Sequence, residues 1–429
     1  MTDPIWQKGR QRVDASIQNY LAGEDVVLDR HLFTFDIQAS RAHALGLSKI
    51  GILSEAEFAA ISDALATLES EFVNDEYQLG PPFEDGHSAI EHYLTETLGD
   101  IGKKIHTGRS RNDQVQVAMR LYLRDRLDQL ETLFTSIAGS FLQQARCEQS
   151  TLMPGYTHLQ RAVPSTVGLW MAAMAEAFID LRVLCRQTRS WINCNPLGTA
   201  AGYGVNLPLD RELTTNELQF ERQQVNPMYV QNSRGRFELQ VLMVFGQATL
   251  ELRRFAWDLS LYASQEFGFV QLPADSQTGS SIMPNKRNPD LIELLRAQHG
   301  VVQGAMSELQ SILSLPSGYQ RDLQATKGPT LRAIESVLQG LGLLPALIDG
   351  LKFNRETMTQ AIEPDMLATD IAVDAAKAGL PFREAYRVAM QSDGLAQHTG
   401  ADSIAARVSP GACANLELDK LAAKLKSLS

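Results

Sequence analysis

Apolar residues recur at steps of three and four along stretches longer than an ordinary globular helix. Between Pro227 and Pro273, residues Phe237, Val241, Val244, Ala248, Leu252, Phe255, Leu259 and Tyr262 form one stripe. The spacing predicts a helix of about 35 residues, about 50 Å long at 1.5 Å per residue. Similar patterns predict helices from about Asp113 to Glu148, from about Ser165 to Ile192 and from Pro289 to about Leu315, with a less regular one after Pro329. The stripes are wide: Met119, Leu121, Tyr122 and Leu123, or Leu239, Leu242, Met243 and Phe245, put apolar groups on more than one face. Burial against other subunits is the natural use of such helices.

Residues 1–105 carry shorter segments, with Asp36–Leu47 and Ser54–Leu68 reading as amphipathic helices, and residues 352–429 return to short helices broken at Pro364, Pro381 and Pro410. No repeat, low-complexity tract or strand-rich region stands out. The expectation is an all-α fold in three parts: an N-terminal helical domain (1–105), a central bundle of about five long helices (106–351) and a C-terminal helical domain (352–429).

Composition narrows the function. Thirty-nine basic against fifty acidic residues leave a formal charge of −11, which argues against a nucleic-acid or membrane-surface protein with a broad basic face. An anionic substrate must then be held by local basic clusters. Hydrophobic content of 44% and charged content of 21% suit a folded protein with a sizeable core. The four cysteines have no CxxC or Cys/His ligand spacing, so neither disulfides nor zinc are expected and a cytoplasmic setting fits. The N-terminal MTDPIWQKGRQRVDASI lacks the apolar core of a signal peptide, and the greasiest stretch, Val337 to Leu351, contains Gln339, Pro345 and Asp349 and is too short to span a bilayer.

Three polar blocks sit at the ends of the long helices. In His106-Thr-Gly-Arg-Ser-Arg-Asn-Asp113-Gln114, Gly108 suits a turn and Asp113 a first helical turn, which is a helix start; Arg109 and Arg111 add forks suited to carboxylates. In Met153-Pro-Gly-Tyr-Thr-His158-Leu-Gln160, Pro154-Gly155 marks a turn, and His158 reads either as a structural hydrogen-bonding residue or as a catalyst. Thr278-Gly-Ser-Ser-Ile-Met-Pro-Asn-Lys-Arg-Asn-Pro-Asp290 carries the strongest signal. Asn288-Pro289-Asp290 reads as N-cap, N1 proline and first-turn acid, Gly279-Ser280-Ser281 as a mobile loop, and Lys286 with Arg287 places two cations before a helix N-terminus, an anion site. Segments 106–113, 279–290 and 318–327 together hold six basic residues (Arg109, Arg111, Lys286, Arg287, Arg321, Lys327) and three acidic ones (Asp113, Asp290, Asp322), a local excess that would draw a small polycarboxylate. There is no GxSxG elbow, phosphate loop, HExxH or complete dinucleotide fingerprint, so cofactor-free acid/base chemistry remains.

GSSIMPNKRNPD closely resembles the signature loop of the fumarase/aspartase superfamily. Within it, the argininosuccinate lyase family is similar over nearly the whole chain: DASI, LDRHLFTFDIQASRAHALGL, EDGHSAIE, HTGRSRNDQV, PGYTHLQRAVPS, NPLGTAAGY, FGFVQLP and LPSGYQRDLQATK follow that family's order. The resemblance implies an all-α homotetramer with the long helices at its core and each active site built from three subunits. It implies β-elimination of argininosuccinate to arginine and fumarate, with Ser280 as the base and with Lys286 and Asn288 binding the carboxylate beside the reacting carbon. It further implies His158 as acid-side partner oriented by Glu293, and Thr157, Ser16, Arg111, Asn112, Tyr319, Gln324, Lys327 and His87 as substrate-side residues. Neither metal nor cofactor is implied, because the leaving guanidinium already carries positive charge. Adenylosuccinate lyase, with a similar Lys-Arg-Asn-Pro loop, is the nearest rival, but HTGRSRNDQ and YQRDLQATK favour argininosuccinate; a non-catalytic lens-type protein would be expected to have lost some of these groups. The chain departs from the family in having Ser233-Arg-Gly-Arg236 where relatives commonly carry Ser-Asp/Glu-Arg-Asp, MPNKRNP for MPQKKNP, and a longer segment between Ile17 and Leu28.

Overall fold

A computed structural model describes residues 15–389 and 398–428; the leader reading of the first residues falls largely outside them. The fold is all-α. Among the described residues its longest helices are Arg111–Cys147, Val167–Ile192, Arg236–Tyr262 and Asp290–Ile312, and the shorter Lys327–Gly342 comes after them in the chain. By contact density the chain divides into two compact units. One comprises Met1–Gln129, Arg186–Phe245 and Val302–Glu335; the other comprises Leu130–Cys185, Gly246–Val301 and Ser336–Ser429.

In the first unit, the Phe33–Lys49, Glu55–Val73 and Gly86–Leu98 helices pack around Phe33, Ile37, Leu47, Ile61, Leu65, Ile90 and Leu94. Two of these helices start at reciprocal caps: Ser54 with Glu57, and Asp85 with Ser88. The second cap fixes where the next residues, Gly86 and His87, enter the fold. The second unit is centred on aromatic contacts, with Phe141 edge-on to Phe255 at 4.9 Å and stacked with Phe178 at 5.9 Å.

The helix expected to run about 35 residues is shorter. A separate short helix, Pro227–Asn232, precedes a 27-residue helix that begins at Arg236. Gly235 between them has φ +82°, and a Cβ there would lie 2.4 Å from the Leu313 side chain. A left-handed residue cannot continue a right-handed helix, so the chain turns at this point. The expected stripe is nonetheless correct: Phe237, Val241, Val244, Ala248, Leu252, Phe255 and Leu259 are all buried. On another face of the same helix Met243, Leu250 and Trp257 recur at steps of seven and are 42%, 44% and 46% exposed.

The turn expected at Pro154-Gly155 lies elsewhere. Leu152–Thr157 and Gln160–Thr166 form an antiparallel hairpin whose irregularity falls between Pro154 and Tyr156. Its two-residue loop is His158-Leu159, with φ +55° and +57°. Positive φ at both positions is the geometry that joins twisted strands through a two-residue loop, and the local chemistry that normally marks it, Asn-Gly or Asp-Gly, is missing here. The cap reading at Asn288-Pro289-Asp290 also changes. Asn288 belongs to a two-residue strand, Pro289 takes the cap position by accepting from the Glu293 N–H, and Asp290 opens the helix.

One helical stretch, Arg321–Asp349, has the length and hydropathy of a membrane span, with 56% of its richest window buried. It consists of three consecutive helical segments and carries the fully buried Leu331, Ile334, Val337 and Leu341, the character of a core helix.

Candidate functional site

The first unit contains an open cleft of about 580 Å³, counting its mouth. Arg111, Asn112, His87, Tyr319, Gln324 and Lys327 all line it. Six of the substrate-side residues expected from the sequence, separated by up to 240 positions from His87 to Lys327, therefore meet in one place. Ser16 lies exposed on the Ala15–Ala22 helix; Ala22 at that helix's end lines the cleft, and Ser16 does not.

The local framework explains this convergence. Gly108, at φ +73°, turns the chain into the Arg111–Cys147 helix. Fully buried Asp113 accepts from the N–H groups of Ser110 at 2.9 Å, Gly198 at 3.0 Å and Ala200 at 2.9 Å. One carboxylate thus ties the helix start to the NPLGTAAGY loop. Of the two arginines beside it, only Arg111 reaches the cleft, where it pairs with Glu84 at 2.9 Å and Asp85 at 3.2 Å. Arg109 is instead buried and donates to Ser40 Oγ at 2.9 Å, so its expected role as a carboxylate fork at the site is corrected to a core hydrogen bond.

The cleft is also less basic than the residue count suggested. Lys327 Nζ is buried between Asp29 at 2.6 Å and Asp25 at 3.0 Å. Burial alone would lower its pKa, but the two carboxylates outweigh it and hold the ammonium above its ordinary range. Gln324 Nε2 donates to the Leu21 carbonyl at 3.1 Å, and Arg321 to the same oxygen at 2.8 Å. Asp25, Glu84, Asp85 and Arg234 line the cleft too, and none was among the expected site residues. The only signal that could have found the acids is Asp85-x-x-Ser88 as a helix cap beside His87.

His87 Nδ1 donates to Asp36 Oδ2 at 2.5 Å, while its buried Nε2 has no hydrogen-bond partner among the described residues. Burial disfavours the imidazolium, but Asp36, then Asp85 and Asp29, outweigh it and the pKa is raised. His43 behaves oppositely. Burial, reinforced by Arg109, pushes its pKa down to about 3, and the neutral ring donates from Nε2 to the Thr107 carbonyl at 2.9 Å.

The remaining expected residues lie in the second unit. Thr278–Gly279 and Arg287–Asn288 pair antiparallel and close a loop holding Ser280 and Lys286. Ser280 Oγ accepts backbone N–H groups from Ile282 at 3.3 Å and Met283 at 3.0 Å. Two amide dipoles aimed at a hydroxyl oxygen favour charge on that oxygen. Residues 281–287 are exposed, Ile282 by 82%, and the side-chain amide of Asn288 retains a buried Oδ1 with no partner among the described residues. Thr157 and His158 stand exposed at the hairpin tip. Glu293, in the first turn of the Asp290–Ile312 helix, faces Arg296 at 3.8 Å, and among the described residues no hydrogen bond or ion pair joins it to His158. His158 and Leu159 in left-handed backbone are costly for non-glycine residues, a strain that concentrates at functional sites. Among the described residues no group of three or more His, Cys, Asp or Glu gathers as a metal site.

Comparison with known proteins gives this arrangement its context. Residues 9–304 match a family described as lyase. Curated relatives named argininosuccinate lyase include those of Stenotrophomonas maltophilia strain R551-3, 54% identical over 431 residues, and Xanthomonas campestris pv. campestris, 55% identical over 430; each alignment covers the whole of both chains. Solved structures with the same fold include an EDDS lyase in complex with formate, with TM-score 0.82 and 23% identity over 97% of this chain and 91% of that one. Another is a class II fumarase from Schistosoma mansoni, with TM-score 0.75 and 16% identity over 96% and 94%. With full-length identity above half to enzymes of one activity and this fold beneath it, the chain belongs to the argininosuccinate lyase family, the carbon–nitrogen lyases of that name within the fumarase/aspartase superfamily.

Proposed function

We propose that the protein catalyses reversible β-elimination of argininosuccinate to arginine and fumarate, as in cytoplasmic arginine biosynthesis, and that it works as a homotetramer without metal or cofactor. The observation that carries this reading is the full-length identity to argininosuccinate lyases, together with the presence of Ser280, Lys286, Asn288 and His158.

In this reading Ser280 removes the proton from the succinyl carbon. A serine hydroxyl is a poor base, and the two backbone N–H groups on Oγ support the alkoxide that must form. Lys286 and Asn288 hold the neighbouring carboxylate, where negative charge accumulates as the proton leaves. The electron pair of the broken C–H bond forms the fumarate double bond while the C–N bond breaks toward the guanidinium, which leaves as the guanidino group of arginine. His158 serves the acid side with Glu293 as its orienting carboxylate and Thr157 beside it. Arg111, Asn112, Tyr319, Gln324, Lys327 and His87, with Ser16, receive the rest of the substrate.

The tetramer rests on the long helices, which would fill its core and bring blocks of three subunits to each site. Met243, Leu250 and Trp257 at heptad spacing, with Leu294 and Val301 exposed by 67% and 40% on the Asp290–Ile312 helix, suit helix packing between subunits. The division at 105/106 and 351/352 belongs to the same reading.

The test offers the purified protein argininosuccinate and adenylosuccinate in parallel and quantifies products by chromatography. Equimolar arginine and fumarate from the first, and none from the second, is the expected result. Fumarate from adenylosuccinate, or silence with both from a folded protein, would overturn the reading.

A further inference from the structure

The cleft's four cations are not equally occupied. Arg111 is held by Glu84 and Asp85, Lys327 by Asp25 and Asp29, and Arg321 by the Leu21 carbonyl. Arg234 also lines the cleft, yet among the described residues no hydrogen bond or ion pair engages its guanidinium. Its planar group lies over the Tyr319 ring at 5.7 Å, and the residue is only 6% exposed. Asp25 and Glu238 feel its charge, but neither pairs with it. Arg234 faces the cleft with its guanidinium uncommitted to any acceptor among the described residues, so a ligand carboxylate can take both arms of the fork.

The acids of the cleft indicate which part of a ligand lies there. Asp25, Glu84 and Asp85 set three carboxylates among the four cations, a mixed lining that suits the guanidinium and ammonium of an arginyl group better than a bare dicarboxylate such as fumarate. That group carries one anionic centre, its α-carboxylate, and a guanidinium fork is matched to a carboxylate. We propose that Arg234 is a specificity residue that binds the α-carboxylate of the arginyl end of the substrate. Gly235 makes this possible: its left-handed turn ends the preceding segment and fixes Arg234 at the mouth of the Arg236–Tyr262 helix. The inference rests on the proposed argininosuccinate cleavage.

The experiment measures inhibition of argininosuccinate cleavage by arginine, by agmatine, which is arginine without its α-carboxylate, and by fumarate, in the parent and in Arg234→Met. The parent should prefer arginine to agmatine. In the variant the inhibition constant for arginine should rise about 10- to 100-fold, the effect of losing one charged hydrogen-bonding partner, while those for agmatine and fumarate stay within about twofold. Arg234→Lys, which keeps the charge and loses the fork, should fall between, and it carries the test if the Met variant does not fold. An unchanged arginine constant overturns the proposal, and so does weakening of all three inhibitors together, which would mean general damage to the cleft. A parent that does not cleave argininosuccinate would instead overturn the reading on which the proposal rests.

Discussion

At the scale of single residues, burial and charge separate the histidines into opposite behaviours. His43 is held neutral, with its pKa at about 3 against an ordinary 6.5. Between those values the unfolded chain binds a proton that the folded chain refuses, so stability is lost as pH falls from 6.5 toward 3. Replacing His43 with Gln, which can still donate to the Thr107 carbonyl but cannot titrate, should flatten this loss. Unfolding free energies of the two proteins from pH 7 to pH 4 should therefore converge or cross on acidification, and a constant difference would show that His43 is not the titrating group. His87 contributes with the other sign: its raised pKa means stability present below 6.5 that is lost as pH climbs through the folded value. The sequence marked His87 as a site residue, but its partner Asp36 was legible only as one polar position of an amphipathic helix. The short hydrogen bond between them is a tertiary fact, as is the burial that turned Arg109 into the core.

At the scale of elements, three- and four-residue periodicity was enough to place the long helices to within a few residues, because each buries a continuous stripe. It failed where the backbone leaves the ordinary regions. Gly235 breaks a pattern that is apolar on both sides, and periodicity carries no information about a glycine that turns left-handed against Leu313. Gly235→Ala should cost the protein more than about 2 kcal/mol, since it adds both a strained φ and a clash at 2.4 Å. A denaturant titration checks this, and a change below about 0.5 kcal/mol would mean that the turn relaxes freely. The hairpin was missed for a related reason. Pro154-Gly155 are familiar turn residues, yet they sit within a strand where Gly155 approaches the Val163 carbonyl, with space for a Cβ of only 2.8 Å. The true turn uses His158 and Leu159, whose side chains do not announce left-handed backbone. What placed His158 at an exposed tip was strand pairing, and pairing partners cannot be read from a short polar block.

At the scale of the whole molecule, the wide apolar stripes already pointed to burial beyond one chain, and the heptad row Met243, Leu250 and Trp257 remains half exposed on the folded chain. Exposed apolar groups in a row mark an interaction surface. Replacing Leu250 and Trp257 together with Glu should shift the assembly to smaller species in analytical ultracentrifugation and remove most of the activity. An unchanged sedimentation coefficient would show that this face does not join subunits. The charge count, by contrast, misjudged the cleft, because the acids that balance it come from segments around Asp25 and Glu84 that no sequence block grouped with the basic ones. Only the fold brings them together, and the result is a site for a ligand of mixed charge rather than a simple anion trap.

The proposed chemistry is cleavage of argininosuccinate through Ser280. It is tested most directly by fumarate release from argininosuccinate, followed by ultraviolet absorbance, for the parent and Ser280→Ala purified side by side with matched circular dichroism and sedimentation. The parent should release fumarate steadily and the variant should lose about 10³-fold or more, in the range of a missing general base, while staying folded, because a partly exposed loop hydroxyl contributes little to folding. Near-parental release by Ser280→Ala, or none from the folded parent, would contradict it.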